Sequence, residues 1–260
     1  VIGDHRTITM STRRAADVDA DHPLWQLIWQ NGLMDTPLLI FLHGPGQSPP
    51  AWQDVVGAIN PEQPMVAPWL KGLKPTEHGG FEINQAAEAV LDVMETRGAQ
   101  RADLVGYSLG GLVALRTALA YPDRIAHLVL VSTPIVPEPK ILNRQRLLVK
   151  FTPAGMFRGV DKEHVLAALD ALAETDMSVD LTKVVPPLLA VAAADDPIGR
   201  ASADLMAHDA HALTRFLPGA DPNLLVSQPK VLAQLVADFC ADFLDRDDST
   251  APVESGEAGS

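Results

Sequence analysis

Short apolar runs alternate along this chain with segments whose apolar residues recur at helical spacing. Leu38–Leu42 is a continuous apolar run, and Pro64–Ala67 is a shorter one. In Ile83–Arg97, Ile83, Ala86, Ala87, Val90, Leu91 and Met94 fall on one helical face. Asp103–Gly106 then reads as a strand. Leu109–Ala120 reads as a helix ended by Tyr121-Pro122, where proline blocks continuation. His127–Ser132, Leu188–Ala193 and Thr214–Leu217 are further strands. A closing helix starts near Pro229 and buries Leu232, Leu235, Val236, Phe239, Cys240 and Phe243. Upstream, Arg6–Met10 and Trp25–Gln30 are expected strands, the second followed by the turn Asn31-Gly32. Strands alternating with helices predict an α/β domain: a mostly parallel, twisted sheet flanked by helices on both faces.

One region breaks the alternation. Residues 137–185 hold a basic helical stretch, Lys140–Phe151, a turn at Pro153–Gly155, and a helix over Asp161–Thr175 with Asp161 as N-cap. An insertion between two sheet strands is expected to form a small helical cap over the C-terminal edge, where open α/β sheets bind ligands. The expected division is residues 1–23 as an opening strand and link, 24–136 and 186–245 as the core, 137–185 as the cap, and 246–260 as a disordered acidic tail.

Composition narrows the functions. The 260 residues are 47% hydrophobic and 20% charged, enough to bury a large core. A net charge of −13 argues against nucleic acid as a partner. No apolar run reaches the ~20 residues needed to span a bilayer, and the N-terminal stretch lacks an apolar signal core. The single cysteine, Cys240, excludes an internal disulfide and is expected to be packing. These features fit a cytoplasmic protein. No cofactor is expected. His208 and His211 flank Asp209, but no second cluster completes a metal site.

The chemistry concentrates at Gly106-Tyr107-Ser108-Leu109-Gly110. Gly-x-Ser-x-Gly alone arises by chance in roughly one chain in fifteen of this length. Its context carries the weight: it follows an expected strand and opens an expected helix. A sharp turn there presents Ser108 as a nucleophile, and the helix N-terminus offers the Leu109 amide to a developing oxyanion.

GYSLGGLVAL resembles the nucleophile elbow of the α/β-hydrolase-fold superfamily, and the resemblance covers roughly residues 24–245. LLIFLHGPGQSPPAW resembles its His-Gly oxyanion loop, with a tryptophan downstream at Trp52. VPPLLAVAAADDPIG resembles the strand ending at the catalytic acid. LPGADPNLLVSQPKVLAQLVADFCADFL resembles the last strand, histidine loop and closing helix. The resemblance implies hydrolysis of an ester, thioester or amide by a serine, a histidine base and an orienting acid. Asp196, which precedes Pro197, fits the acid better than Asp195.

The chain departs from that pattern twice. The histidine should precede the closing helix's Pro229 by about seven residues, and Pro222 stands there, with no histidine between Leu213 and Ser260. Loss of the base costs on the order of 10⁶ in turnover. His208 and His211 should lie toward the opposite end of the sheet. His127 begins a strand at that far end, and His43 has a structural place in the oxyanion loop. His164 faces either the cleft or water. His78, in the loop Lys71–Phe81, is the stand-in to test first. The second departure is Pro45, which has no N–H where the second oxyanion donor usually sits, leaving Gly44 or Gly46 as substitutes. Trp69 stands where many relatives carry an acid, a change that bears on loop structure.

The expected function is a pseudoenzyme or strongly impaired hydrolase that binds a small or acyl-type ligand or a partner. The alternative is an active serine hydrolase with an atypical base. Lys140, Arg144 and Arg146 either draw an anionic ligand to the cleft mouth or form a solvated helix face.

Overall fold

The computed structural model describes residues 36–59, 63–77, 80–157, 159–219, 221 and 223–247. The strands expected at Arg6–Met10 and Trp25–Gln30, and positions 78, 222 and 248–260, lie outside the described residues.

Six parallel strands form one sheet in the order β2-β1-β3-β4-β5-β6: β1 (Leu38–Leu42), β2 (Met65–Val66), β3 (Ala102–Tyr107), β4 (Ile125–Val131), β5 (Leu188–Ala193) and β6 (Leu213–Leu217). Alternation along β1 explains the two cores. Leu38, Ile40 and Leu42 point into one cluster, and Leu39 and Phe41 into the other. Helices α1 (Gln53–Val56), α2 (Ile83–Thr96), α3 (Leu109–Ala120), α4 (Pro139–Phe151), α5 (Lys162–Glu174), α6 (Pro197–Asp209), α7 (Leu224–Ser227) and α8 (Pro229–Asp247) complete the described fold. Residues of α2, α3 and α6 pack on the first face, and those of α1, α7 and α8 on the second. Trp52, fully buried, stacks at a tilt on Phe41 with ring centroids 5.0 Å apart.

Most expected elements stand close to where the pattern put them. β2 is shorter than expected: Pro64 contributes only its carbonyl, which accepts the Leu39 N–H, because proline has no donor for the ladder. β4 starts two residues before His127, at Ile125, because pairing with Ala102 extends the ladder. The closing helix runs through Asp247, beyond the expected tail boundary, since neither Gly nor Pro interrupts it there. Between β4 and β5 the chain passes through α4 and α5, which an Arg146–Asp170 ion pair of 2.7 Å ties together. Asp161 caps α5 by accepting the Glu163 N–H.

Candidate active site

Ser108 stands alone between β3 and α3, at φ 53° and ψ −114°. A positive φ costs a non-glycine residue on the order of 1–3 kcal/mol, so the surroundings must hold it. They do so from both sides. The Ser108 N–H donates to the Val131 carbonyl at 3.0 Å, and its own carbonyl accepts from Gly111 and Leu112 at 3.0 and 3.3 Å. A Cβ on Gly106 would collide with the Gly110 carbonyl and Gly111, and one on Gly110 with the carbonyls of Leu42 and His43. Bare backbone at these positions lets α3 press against the sheet and expose the serine. Helical bonding to the Ser108 carbonyl starts at Gly111, so the Leu109 and Gly110 amides belong to the unpaired first turn.

Ser108 and Asp196 line one cavity of about 620 Å³. Asp196 follows β5 and caps α6: its Oδ1 accepts the Ile198 N–H at 3.1 Å. Gly199 leaves room for the other oxygen, since a Cβ there would sit 2.5 Å from Oδ2. Asp195 is exposed and does not line the cavity. The polar end also includes Gln47, Tyr107, Ser132 and Asn223. The opposite wall is Leu142, Leu148 and Val149 of α4 with Val165, Leu169 and Leu172 of α5. Burial, then the nearby carboxylates of Asp196 and Asp221, push the Tyr107 phenol up to about 12, so it stays neutral. The buried Oδ1 of Asn223 has no hydrogen-bond partner within the protein, and Asn223 lines the cavity.

The loop after β1 holds Gly44, Pro45 and Gly46, the stretch expected to supply the second oxyanion donor. Gly44 is buried and its N–H donates to Gln47 Oε1 at 2.9 Å. Pro45 lines the cavity and has no N–H. Gly46, at φ 70°, is exposed and backs onto Val165. Sequence reasoning missed Gln47. Its carboxamide oxygen is held by Gly44, which directs the remaining donor capacity to the NH₂ group. The available signal was an amide side chain three residues after Gly44, in a loop where proline had removed a donor.

The described histidines all lie outside the cavity lining. His43 is fully buried; its Nε2 accepts the Leu70 N–H at 3.2 Å, which leaves Nδ1 to donate to the Gly44 carbonyl at 3.0 Å. Burial lowers its pKa, opposed by that backbone bond. Trp69 meets its ring edge-on, with centroids 5.4 Å apart. His127 bonds Asp103 at 2.7 Å. His208 is exposed beside Asp209, and His211 turns the chain at φ 53° after α6. His164 takes neither orientation expected for it. It is buried in the packing of α5, outside the cavity lining, with Nδ1 unpartnered, on a helical face that also carries the fully buried Ala168. Among the described residues, no imidazole lines the cavity.

Residues 37–172, just over half the chain, match the α/β hydrolase fold family. The chain belongs to that family. It is 26% identical over 241 residues to the pimeloyl-[acyl-carrier protein] methyl ester esterase of Yersinia enterocolitica, covering 77% of this chain and 92% of that protein. A shorter match, 35% identical over 98 residues, is to an esterase of Mycobacterium tuberculosis, covering 36% of this chain and 32% of that protein. The fold superposes on a hydrolase from Pseudomonas aeruginosa with a TM-score of 0.69 at 22% identity, covering 79% of this chain and 90% of that one. The enol-lactonase from Burkholderia xenovorans gives a TM-score of 0.67 at 19% identity, covering 79% and 92%. At these identities the superpositions speak for the shared α/β hydrolase fold.

In this family member a second cluster of reactive types sits at the other end of the sheet. Asp103, His127 and Cys240 bring ligand-type atoms within 4.8 Å of one another, all buried. Gln63 Nε2 donates to the second Asp103 oxygen at 3.0 Å. Burial first, then Asp103, drives the Cys240 thiol far above its ordinary range, which keeps it protonated.

Proposed function

We propose that this α/β-hydrolase-fold protein binds an uncharged acyl ester or amide in the cavity above Ser108 and that its hydrolytic turnover is strongly impaired. The carrying observation is that Ser108 and Asp196 face one cavity that no described imidazole enters. Without a base, the hydroxyl has no acceptor for its proton at the moment of attack, a loss on the order of 10⁶ in turnover. Pro222 occupies the position at which the family resemblance calls for that base.

The binding half of the reading rests on the lining. Leucines and valines of α4 and α5 suit an acyl chain, each buried CH₂ contributing about 0.8 kcal/mol. The charged lining residues are Glu138 and Asp196, both acidic, which disfavours a free carboxylate and favours a neutral ester or amide. In this reading the ligand carbonyl rests between the Leu109 amide and the Gln47 NH₂, which takes over from the donor missing at Pro45. The name of the Yersinia relative, a methyl ester esterase, points to the same chemical class.

A fluorophosphonate probe and short-chain nitrophenyl esters test the reading. The expected result is little or no labelling at Ser108 and negligible turnover, together with measurable binding of a neutral acyl ester. Rapid labelling that vanishes in Ser108→Ala would sink it.

A second reading, an active serine hydrolase with an atypical base, is favoured by the strained Ser108 backbone, which is costly to keep without use. His78 is its candidate base. Robust esterase activity lost in His78→Ala would establish this reading over the first.

A further inference from the structure

We infer that the outward face of α4 docks this protein on an anionic lipid surface, placing the mouth of the Ser108 cavity against the membrane. Lys140, Arg144, Leu147 and Phe151 recur at helical spacing and so form one stripe, flanked by Leu148. The apolar members of that face are open to solvent: Leu147 is 57% exposed, Leu148 69% and Phe151 80%. Monomeric proteins rarely leave large apolar side chains gathered in this way without a partner.

Charge decides which partner. The whole chain carries −13, yet α4 holds Lys140, Arg144, Arg146 and Lys150 and no acid. Arg146 is engaged by Asp170 on the inner flank, while Lys140, Arg144 and Lys150 are exposed. Lys162 adds a cation at the helix end, its Nζ donating to the carbonyls of Lys150 and Thr152 at 2.7 and 2.9 Å. Cations framing an apolar stripe are the signature of a helix lying in a lipid interface. Self-pairing of two copies through this face would set like charges against each other. An acidic protein surface would satisfy the cations but would leave Leu147, Leu148 and Phe151 without an apolar partner.

The face is also connected to the site. Ile141, Gln145 and Leu148 line both the outer groove on α4 and the Ser108 cavity, so α4 is the wall between them. Docking would let an acyl ligand pass from lipid to cavity along apolar side chains. This last step rests on the acyl-ligand reading above; the docking itself does not.

Flotation with large vesicles separates the outcomes. The wild-type protein is expected to float with mixed phosphatidylcholine–phosphatidylglycerol vesicles and much less with phosphatidylcholine alone, and to be released by added salt. Lys140→Glu with Arg144→Glu should weaken partitioning more than about tenfold, near fivefold for each cation lost. Leu147→Ser with Phe151→Ser should weaken it comparably while the circular dichroism spectrum stays that of the wild type. No flotation of the wild type, or flotation unchanged in both double variants, would overturn the proposal. So would a dimer in light scattering that Leu147→Ser with Phe151→Ser dissolves, since the face would then be a self-interface. Ligand binding measured in lipid-free buffer keeps failure of docking distinct from failure of the acyl-ligand reading.

Discussion

The two ends of the sheet carry related side chains to different effect. At the C-terminal rim, Ser108 and Asp196 open onto a cavity of about 620 Å³, and no described imidazole joins them. At the N-terminal rim, Asp103, His127 and Cys240 bring an acid, an imidazole and a thiol together, with exposures of 0%, 4% and 3%. Asp103 and Ser108 lie only five residues apart on and just past β3, about 16 Å along the strand. Residue types alone would favour the second cluster as a catalytic set. Access reverses that judgement: a nucleophile needs a hollow for its substrate and a route for its proton, and the packed rim supplies neither. The open rim keeps the hollow and the strained turn, and among the described residues no imidazole lines it. One end is a hollow that no described imidazole enters, and the other is a set of reactive groups without a hollow.

Supplying the base is the strongest way to test that contrast. Pro222→His should raise esterase turnover by orders of magnitude, toward the ~10⁶ that a triad base is worth, in a nitrophenyl-ester assay. Unchanged turnover would mean that an imidazole at position 222 does not by itself complete the open rim as a catalytic site. At the packed rim the expected effect is on stability. Asp103→Ala should cost roughly 3–5 kcal/mol in urea unfolding, because His127, Gln63 and Cys240 lose a shared buried partner. A loss below about 1 kcal/mol would show that the cluster contributes little to the fold.

Smaller effects sharpen each side. In the Pro222→His background, Gln47→Leu should lower turnover about 10²–10³-fold with little change in thermal midpoint, if its NH₂ serves as the second carbonyl donor. Wild-type-like rates would return that role to the backbone. The smallest expected effect is on the acid limb of stability. The folded His43 has a pKa below its ordinary 6.5, chiefly through burial. The unfolded chain therefore takes up the proton first. The stabilising contribution is complete above 6.5 and declines as pH falls below it toward the folded value. His43→Gln should flatten that decline in a pH series of urea midpoints.

Local pattern was a good guide where one physical rule dominated. β1, β5 and α3 occupy Leu38–Leu42, Leu188–Ala193 and Leu109–Ala120, the bounds that the apolar runs and the proline after Tyr121 had suggested. The start of β4 was less legible, because Ile125 follows directly on Pro122-Asp123-Arg124 and its place in the sheet is fixed by pairing with Ala102 on the neighbouring strand. His164 was illegible for a related reason: a histidine on an amphipathic helix turns inward or outward according to what packs against it.

Sequence by itself determined the alternation of strands and helices, the turn that presents Ser108, and the absence of histidine after Leu213. These follow from hydrophobic period, glycine and proline stereochemistry, and plain residue identity, all of which are local. Only the tertiary structure decided that Asp196 rather than Asp195 reaches the cavity, that Gln47 takes the Gly44 amide, and that Cys240 meets Asp103 and His127. Each of those depends on where distant or bent segments come to rest, and burial and side-chain direction there are set by packing that no local pattern encodes.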